Sequence, residues 1–465
     1  MRPLRPQRLT AGGGLVMFAL NEGHVMSDSI QTAYTGDEFS PSGTRPDAAS
    51  ARRNVVAVAL GNAVEFFDFG TYATFAVMIG HTFFPAKSPF ISLLLSVSVF
   101  GLGFVVRPLG AVLIGAYADR AGRKPAMMLT LVLMAVGTGA IAILPGYQTL
   151  GIAAPILLVV TRLVQGLAWG GEAGPATTYI LESAPLDRRG SYACWQVATQ
   201  GFAAVAAGLT GYGLAVVLPE QALNSWGWRV PFVFGLLVLP VGIYIRRRLA
   251  DTIQEHDAPT STREILHELN TSHRRPIVIG LLILLGSTIT QYFLNYMTTF
   301  ALTELHLPGR VAMLATLVTG AALAVFAVAG GQLCDRLGRR AVLIWPRVLL
   351  LALIFPALNL IVSHPTPLVF LSTITVLSAL HGMSGAALIV LIVESFPSRV
   401  RSTGFSIVYA VAVSVFGGTA QLIITWLIGT TGNPMSPVAY LLAANAICIG
   451  AGFMAAETKP ARAGQ

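Results

Sequence analysis

The chain has 465 residues, 54% of them hydrophobic and 11% charged, with a formal net charge of +9. A soluble domain carries about 25% charged residues, so this balance, with a mean hydropathy of +0.69, excludes an ordinary soluble protein and specifies one that lives in a membrane. The arginines and lysines gather in alternate loops, so the positive charge reports membrane orientation and excludes nucleic acid as a partner.

A spanning helix needs about 20 apolar residues. Roughly twelve such runs follow residue 53, which predicts an all-α integral membrane protein and excludes a β-barrel. Residues 1–50 read as a disordered cytoplasmic tail. Arg2, Arg5 and Arg8 before GGGLVMFAL imitate a secretory leader, but the apolar run is short and no Ala-x-Ala-like site follows. The stretch 26–50, rich in Ser, Thr, Asp, Gly and Pro, buries too little apolar surface to order itself.

The first predicted helix, about 53–79, contains GNAVEFFDFGTY. Glu65 and Asp68 are i and i+3 and share a face with Asn62 and Tyr72. At a rise of about 1.5 Å per residue Asp68 lies about 20 Å from the helix start, and Arg107 of the second helix about 18 Å from Asp119. An ionised group at that depth costs about 2.5 to 3.5 kcal/mol on insertion scales, so each needs a partner or a cavity. One reading is a structural ion pair of Arg107 with Asp68 or Glu65. The other is a titratable carboxylate beside a substrate-binding arginine.

After the second helix comes a tight charged turn, Asp119-Arg120-Ala121-Gly122-Arg123-Lys124. It returns nearly half a chain later as Asp335-Arg336-Leu337-Gly338-Arg339-Arg340. Glu182-Ser-Ala-Pro185 with Arg188 and Arg189 likewise returns as Glu394-Ser-Phe-Pro397 with Arg399 and Arg401. Repeats this long predict two related six-helix halves, over 51–250 and 273–456, with a cytoplasmic linker at 251–272 and a cytoplasmic tail at 457–465. The repeated turns, with Asp119, Arg120, Gly122, Arg123, Glu182, Asp335, Arg336, Arg339 and Glu394, read as a cytoplasmic gate.

The fourth helix carries Arg162, Gln165 and Glu172, the last about 15 Å from Glu182 and so a third acid at mid-depth. Gly166, Gly170, Gly171 and Gly174 make this helix thin enough for close packing. The fifth helix adds Gln196, and Trp226, Trp228 and Arg229 suit an outer interfacial belt. Ser261-Thr-Arg-Glu264 predicts one short capped amphipathic helix in the linker. The seventh helix offers Tyr292 and Asn295, the ninth Arg347, and the tenth His381, which reads either as a packed hydrogen-bonded residue or as a proton carrier. The three cysteines, Cys194, Cys334 and Cys448, form no metal or disulfide pattern and read as small apolar packing residues.

The duplicated Gly-x-x-x-Asp-Arg-x-Gly-Arg turn resembles the major facilitator superfamily. GNAVEFFDF, RPLGA, RLVQG with GGEAG, SWGWRVPF, ESFPSRVRSTG and FGGTA resemble its metabolite:proton symporters, whose members carry citrate, α-ketoglutarate, shikimate, proline or betaine. HTFFPAKSPF, PGYQTLG and the spacing of WGWRVPFVFGLLVLP are most similar to the citrate and tricarballylate symporters among them.

By the positive-inside rule both termini are cytoplasmic. The resemblance implies a monomeric multi-pass transporter of the cell membrane, without cofactor or metal, taking up a small organic acid together with protons by alternating access. Its coupling acids would be Asp68, Glu65 and Glu172. Its substrate contacts would be Arg107, Arg162, Asn62, Tyr72, Gln196, Tyr292, Asn295 and His381. A zwitterion such as proline or betaine, or α-ketoglutarate or shikimate, remains an alternative substrate, and a non-transporting sensor of organic acids an alternative function. An ATP-driven pump would need a phosphate-cradling GxxxxGK[ST] loop, which the sequence lacks.

Overall fold

The computed structural model describes residues 62, 63, 65–121, 123–170, 173–236 and 262–458. Among the described residues, apart from the short helices of the loops and the linker, twelve helical runs follow one another. They are α1 (65–74 and Ala76–Phe83), α2 (Pro89–Val105 and Arg107–Ala121), α3 (Arg123–Ile143), α4 (Ala153–Gly170 and Ala173–Glu182), α5 (Arg189–Val217), α6 (described over 230–236), α7 (Arg274–Asn295 and Met297–Thr303), α8 (Gly309–Leu337), α9 (Arg339–Ser363), α10 (Pro367–Glu394), α11 (Arg401–Thr431) and α12 (Pro437–Met454). Among the described residues nine helices are long and apolar enough to cross a membrane. Two six-helix halves, α1–α6 and α7–α12, make up the fold.

Local chemistry sets the breaks. Pro89, Pro367 and Pro437 stand in the first turns of α2, α10 and α12, where a missing N–H costs nothing. Thr366 caps α10 by accepting the Val369 N–H at 3.3 Å. Pro108 cannot donate a helical hydrogen bond, and α2 is interrupted two residues earlier at Val106. Gly338, at φ +103°, lets α8 turn into α9 within one residue, a conformation that strains any side chain. In the linker, the expected amphipathic helix is present as Thr262–Ser272, with Leu269 buried and Glu264, His267 and Asn270 exposed.

In hydrocarbon, helices associate by close packing of small residues. The two longest contacts between halves use this device. Along α5 and α8, a Cβ on Gly190 would stand 2.5 Å from the Gly331 carbonyl, and one on Gly201 would stand 2.6 Å from that of Gly320. Between α2 and α11, a Cβ on Gly101 would stand 2.3 Å from the Gly418 carbonyl. Beside Gly418, α11 contains a π-helical turn, Val413–Gly417, a feature that re-aims side chains.

Candidate functional site

Asp68 sits where α1, α3 and α4 meet, and each neighbouring helix sends it a donor. Arg162 Nη1 donates to Oδ2 at 3.0 Å, Gln165 Nε2 donates to the same oxygen at 3.1 Å, and the Thr138 hydroxyl donates to Oδ1 at 2.8 Å. Arg162 Nη1 is also 2.7 Å from Gln165 Oε1, which locks the i, i+3 pair into one unit. The ion pair is almost fully enclosed, with side-chain exposures of 1% for Arg162 and 4% for Asp68. The sequence offered either Asp68 or Glu65 as the partner of Arg107, and Glu65 is the acid that stands near it; Asp68 does not. The structure gives it Arg162 instead, because the Asp68 face of α1 is turned towards α4.

Arg107 has a different surrounding. Its guanidinium carbon lies 3.5 Å from the ring centre of Trp169, 3.6 Å from that of Phe104 and 4.8 Å from that of Phe69. Tyr292, Tyr409 and Glu65 supply the nearby polar atoms. Glu65 is itself buried. Arg107 is 1% exposed, yet its Nε and Nη1 have no hydrogen-bond partner. Arg162 Nε and Nη2 and the Trp169 indole N–H are likewise enclosed without an acceptor. Buried donors normally find partners, and charged ones left alone cost more than neutral ones. The centre of the molecule thus concentrates unsatisfied cationic donors.

The other central residues from the sequence gather around this core. Tyr72 is fully buried, donates to the Ser96 carbonyl at 3.1 Å and lies under Arg162, whose guanidinium carbon is 3.8 Å from its ring centre. Asn62 donates to the Gln196 carbonyl at 3.1 Å and to the Thr199 hydroxyl at 2.9 Å, joining α1 to α5, and the Gln196 side-chain oxygen is enclosed without a donor. Tyr292 crosses to the first half, its ring 5.3 Å from that of Phe104. Asn295 Oδ1 accepts from Gln291 Nε2 at 3.0 Å, and His381 uses both ring nitrogens, towards Arg347 and Gln291. Glu172 lies outside the described residues.

At the charged-turn end the halves are tied by a second cluster. Asp335 caps the first turn of α5: its Oδ1 accepts the Gly190 N–H at 2.7 Å, and its Oδ2 accepts the Ser191 N–H at 2.8 Å and hydroxyl at 2.6 Å. Glu394 takes Arg189 of the other half at 2.9 Å and Arg339 of its own at 3.3 Å. Arg339 also donates to the Leu186 carbonyl at 3.3 Å. Glu182 meets Arg401 at 3.7 Å rather than the Arg188 and Arg189 that adjoin it in sequence. Arg336 is exposed. Gly122 and the side chains of Asp119, Arg120 and Arg123 lie outside the described residues.

The halves also meet at the opposite end. The hydroxyls of Thr74 on α1 and Thr298 on α7 lie 3.0 and 2.9 Å from that of Thr316 on α8. The Phe90 ring packs directly on Gly429, where a Cβ would come within 1.9 Å.

Residues 58–421 match the family described as Major Facilitator Superfamily. The chain belongs to the major facilitator superfamily. A citrate-proton symporter of Klebsiella pneumoniae is 39% identical to this superfamily member over 399 residues, covering 85% of this chain and 89% of that one. A citrate-proton symporter of Salmonella typhi is 37% identical over 420 residues, covering 87% and 96%. Among solved structures, a D-xylose-proton symporter matches with a TM-score of 0.69 at 18% identity, covering 87% of this chain and 96% of its own, which is a likeness of fold.

Several residues at the centre of this major facilitator chain were not singled out as site residues from the sequence. Thr138 is one of two threonines in a largely apolar helix, and neither carries a pattern along the sequence. Gln165 and Trp169 adjoin known candidates, but only the packing of α1, α2 and α4 turns them inward. Arg347, fully buried, carried a signal in its charge within an apolar run, without a nearby acid to suggest a role.

Proposed function

We propose that this chain is a secondary active transporter that takes up a citrate-like tri- or dicarboxylate together with protons by alternating access. The observation that carries this reading is Arg107: a cation enclosed in the membrane interior with two N–H donors that no acceptor meets, beside a second arginine in a similar condition. A carboxylate satisfies such donors as a bidentate, charge-assisted partner. The similarity to citrate-proton symporters supports the same substrate class.

The aromatic enclosure argues against a quaternary ammonium substrate. Trp169, Phe104 and Phe69 would form a good cation cage, but Arg107 already fills it. A zwitterion could use only its carboxylate here and would meet repulsion at its other end.

In this reading Arg107 and Arg162 bind substrate carboxylates, with Asn62, Tyr72, Gln196, Tyr292, Asn295 and His381 completing the cavity. Asp68, with Glu65 and Glu172, carries the coupling proton. Substrate arriving at Arg162 competes with Asp68 for its cation, and the released carboxylate takes up a proton. The Asp335 and Glu394 clusters, with Glu182, Arg336, Arg339 and the turn from Asp119 to Arg123, close the cytoplasmic side. The protein acts as a single chain in the inner membrane with both termini cytoplasmic, its bundles spanning 51–250 and 273–456 around the 251–272 linker.

The experiment is uptake of labelled citrate into proteoliposomes driven by an inward proton gradient, competed by a panel of organic acids. Uptake that depends on the gradient and is blocked by polycarboxylates supports the reading. No gradient-driven uptake of labelled citrate, with labelled proline or betaine taken up instead and indifferent to polycarboxylates, overturns it.

A further inference from the structure

Arg347, on α9, is fully buried in the second half, and its contacts are all to neutral acceptors. Nε donates to the Ser384 hydroxyl at 2.9 Å, Nη1 to Asn445 Oδ1 at 3.1 Å and the Gly286 carbonyl at 3.4 Å, and Nη2 to the Ser287 hydroxyl at 2.8 Å. The remaining contact, 3.2 Å from Nη2, is His381 Nδ1.

A guanidinium has donors only, so Nδ1 of His381 accepts and carries no proton. In a neutral ring the other nitrogen then holds the hydrogen, and His381 Nε2 donates to Gln291 Oε1 at 2.9 Å. With its oxygen committed, Gln291 turns its amide nitrogen to Asn295 Oδ1 at 3.0 Å. Asn295, half-buried, is left with both N–H bonds of Nδ2 to offer. One constraint at Arg347 therefore sets the tautomer of a histidine and the orientation of two amides. The four groups point their donors in one direction, and chains so aligned polarise one another.

The free end lies near the proposed substrate site. Asn295 is three residues after Tyr292 on α7, on the same face and about 4.5 Å further along the axis. Tyr292 rests on Phe104, which in turn covers Arg107.

We propose that Arg347 is a positioning residue whose chain through His381 and Gln291 fixes the Asn295 amide as a hydrogen-bond donor to an anionic oxygen of the substrate. Resting on the reading of an organic-acid carrier, this adds a second-half anchor opposite Arg107. It also makes His381 a fixed link rather than a proton carrier, since a proton on Nδ1 would face the Arg347 cation. The titratable or charged groups near this pair are Arg347 itself and Cys448 of α12, beside the arginine.

The test is equilibrium binding of labelled citrate to the purified full-length protein between pH 5.5 and 8. Asn295→Asp, which replaces the donor by an anion of equal size, is expected to weaken binding more than tenfold and well beyond Asn295→Ala. Equal losses in the two variants would overturn the proposal, because then only space, not donor direction, matters at this position. Arg347→Gln releases the constraint on His381 Nδ1, so the direction of the Gln291 and Asn295 amides is no longer fixed, and in that background Asn295→Asp should cost no more than Asn295→Ala. A purely structural arginine would lower the yield of folded protein and leave the difference between the two Asn295 variants as it is in the wild type, which would also overturn the proposal. If Arg347→Gln does not fold, the Asn295 pair decides alone. Wild-type protein that binds no polycarboxylate would instead sink the parent reading.

Discussion

Arg162 donates to Asp68 across 3.0 Å with both side chains enclosed, while Arg107, one helix away, stacks on Trp169 and Phe104. Two arginines at similar depth therefore do different work. One is engaged by an acid of the protein and the other is held by aromatic rings, and each keeps two enclosed nitrogens without acceptors.

Replacing Asp68 by Asn tests the first of these. The amide keeps an oxygen for Thr138 or Arg162 but not the charge, and losing one partner of a buried pair costs about 3 to 5 kcal/mol. The variant should be less stable to heat. It should still exchange substrate across the membrane at equilibrium while failing to accumulate it on a proton gradient. Accumulation at wild-type levels would move the coupling role to another acid such as Glu65.

Arg107→Lys preserves charge and removes the planar group that lies between Trp169 and Phe104. An ammonium stacks less well and cannot form a bidentate pair. Substrate affinity should fall by a factor of ten or more, about 1.4 kcal/mol, with turnover at saturation less affected. Unchanged binding by titration calorimetry would remove Arg107 from the site.

How much of this could be read along the chain depends on which coordinate is asked for. Depth follows from counting residues, so Asp68, Arg107 and Glu172 were legible as mid-membrane charges. The angle at which one helix faces another does not follow, and Asp68 meets Arg162 because of that angle. The duplicated turn disclosed both the two-half architecture and Asp335, since a repeated charged motif is visible without knowing its partner. That its carboxylate would cap α5 of the other half depends on the α5–α8 crossing at Gly190 and Gly331. Arg347 was visible as a charge, but its partners are serines, an asparagine and a carbonyl, which carry no pattern along the sequence.

At the proposed gate, Asp335→Ala removes three hydrogen bonds to the first turn of α5, and loss of a helix cap costs about 0.5 to 2 kcal/mol. Because that cap joins the halves, its loss should shift the equilibrium towards opening at this end by roughly 2- to 30-fold. Cys194 is buried at the same contact, so its alkylation by a maleimide should accelerate by that factor. An unchanged alkylation rate would mean that this contact does not hold the gate.

The α5–α8 contact makes a steric prediction. A side chain on Gly201 would press on the backbone of α8 at 2.6 Å, and backbone cannot rotate away. Gly201→Val should insert and express yet transport less than a tenth of the wild-type rate, as measured by uptake per folded molecule. Full activity would indicate that the halves do not approach this closely during the cycle.

If this transporter accumulates a citrate-like acid on a proton gradient, substrate charge is carried inward with at least matching protons. Bringing in a trianion against 100 mV costs about 7 kcal/mol, whereas concentrating it a hundredfold costs only about 2.7 kcal/mol, so the electrical term dominates. With only Glu65, Asp68 and Glu172 proposed to hold protons in the membrane interior, some protons are expected to travel on the substrate itself. The direct measurement is the transport current of reconstituted protein against external pH with a defined tricarboxylate. No current, or net positive charge moving inward with substrate, is expected at every pH; net negative charge moving inward would rule out proton-matched entry.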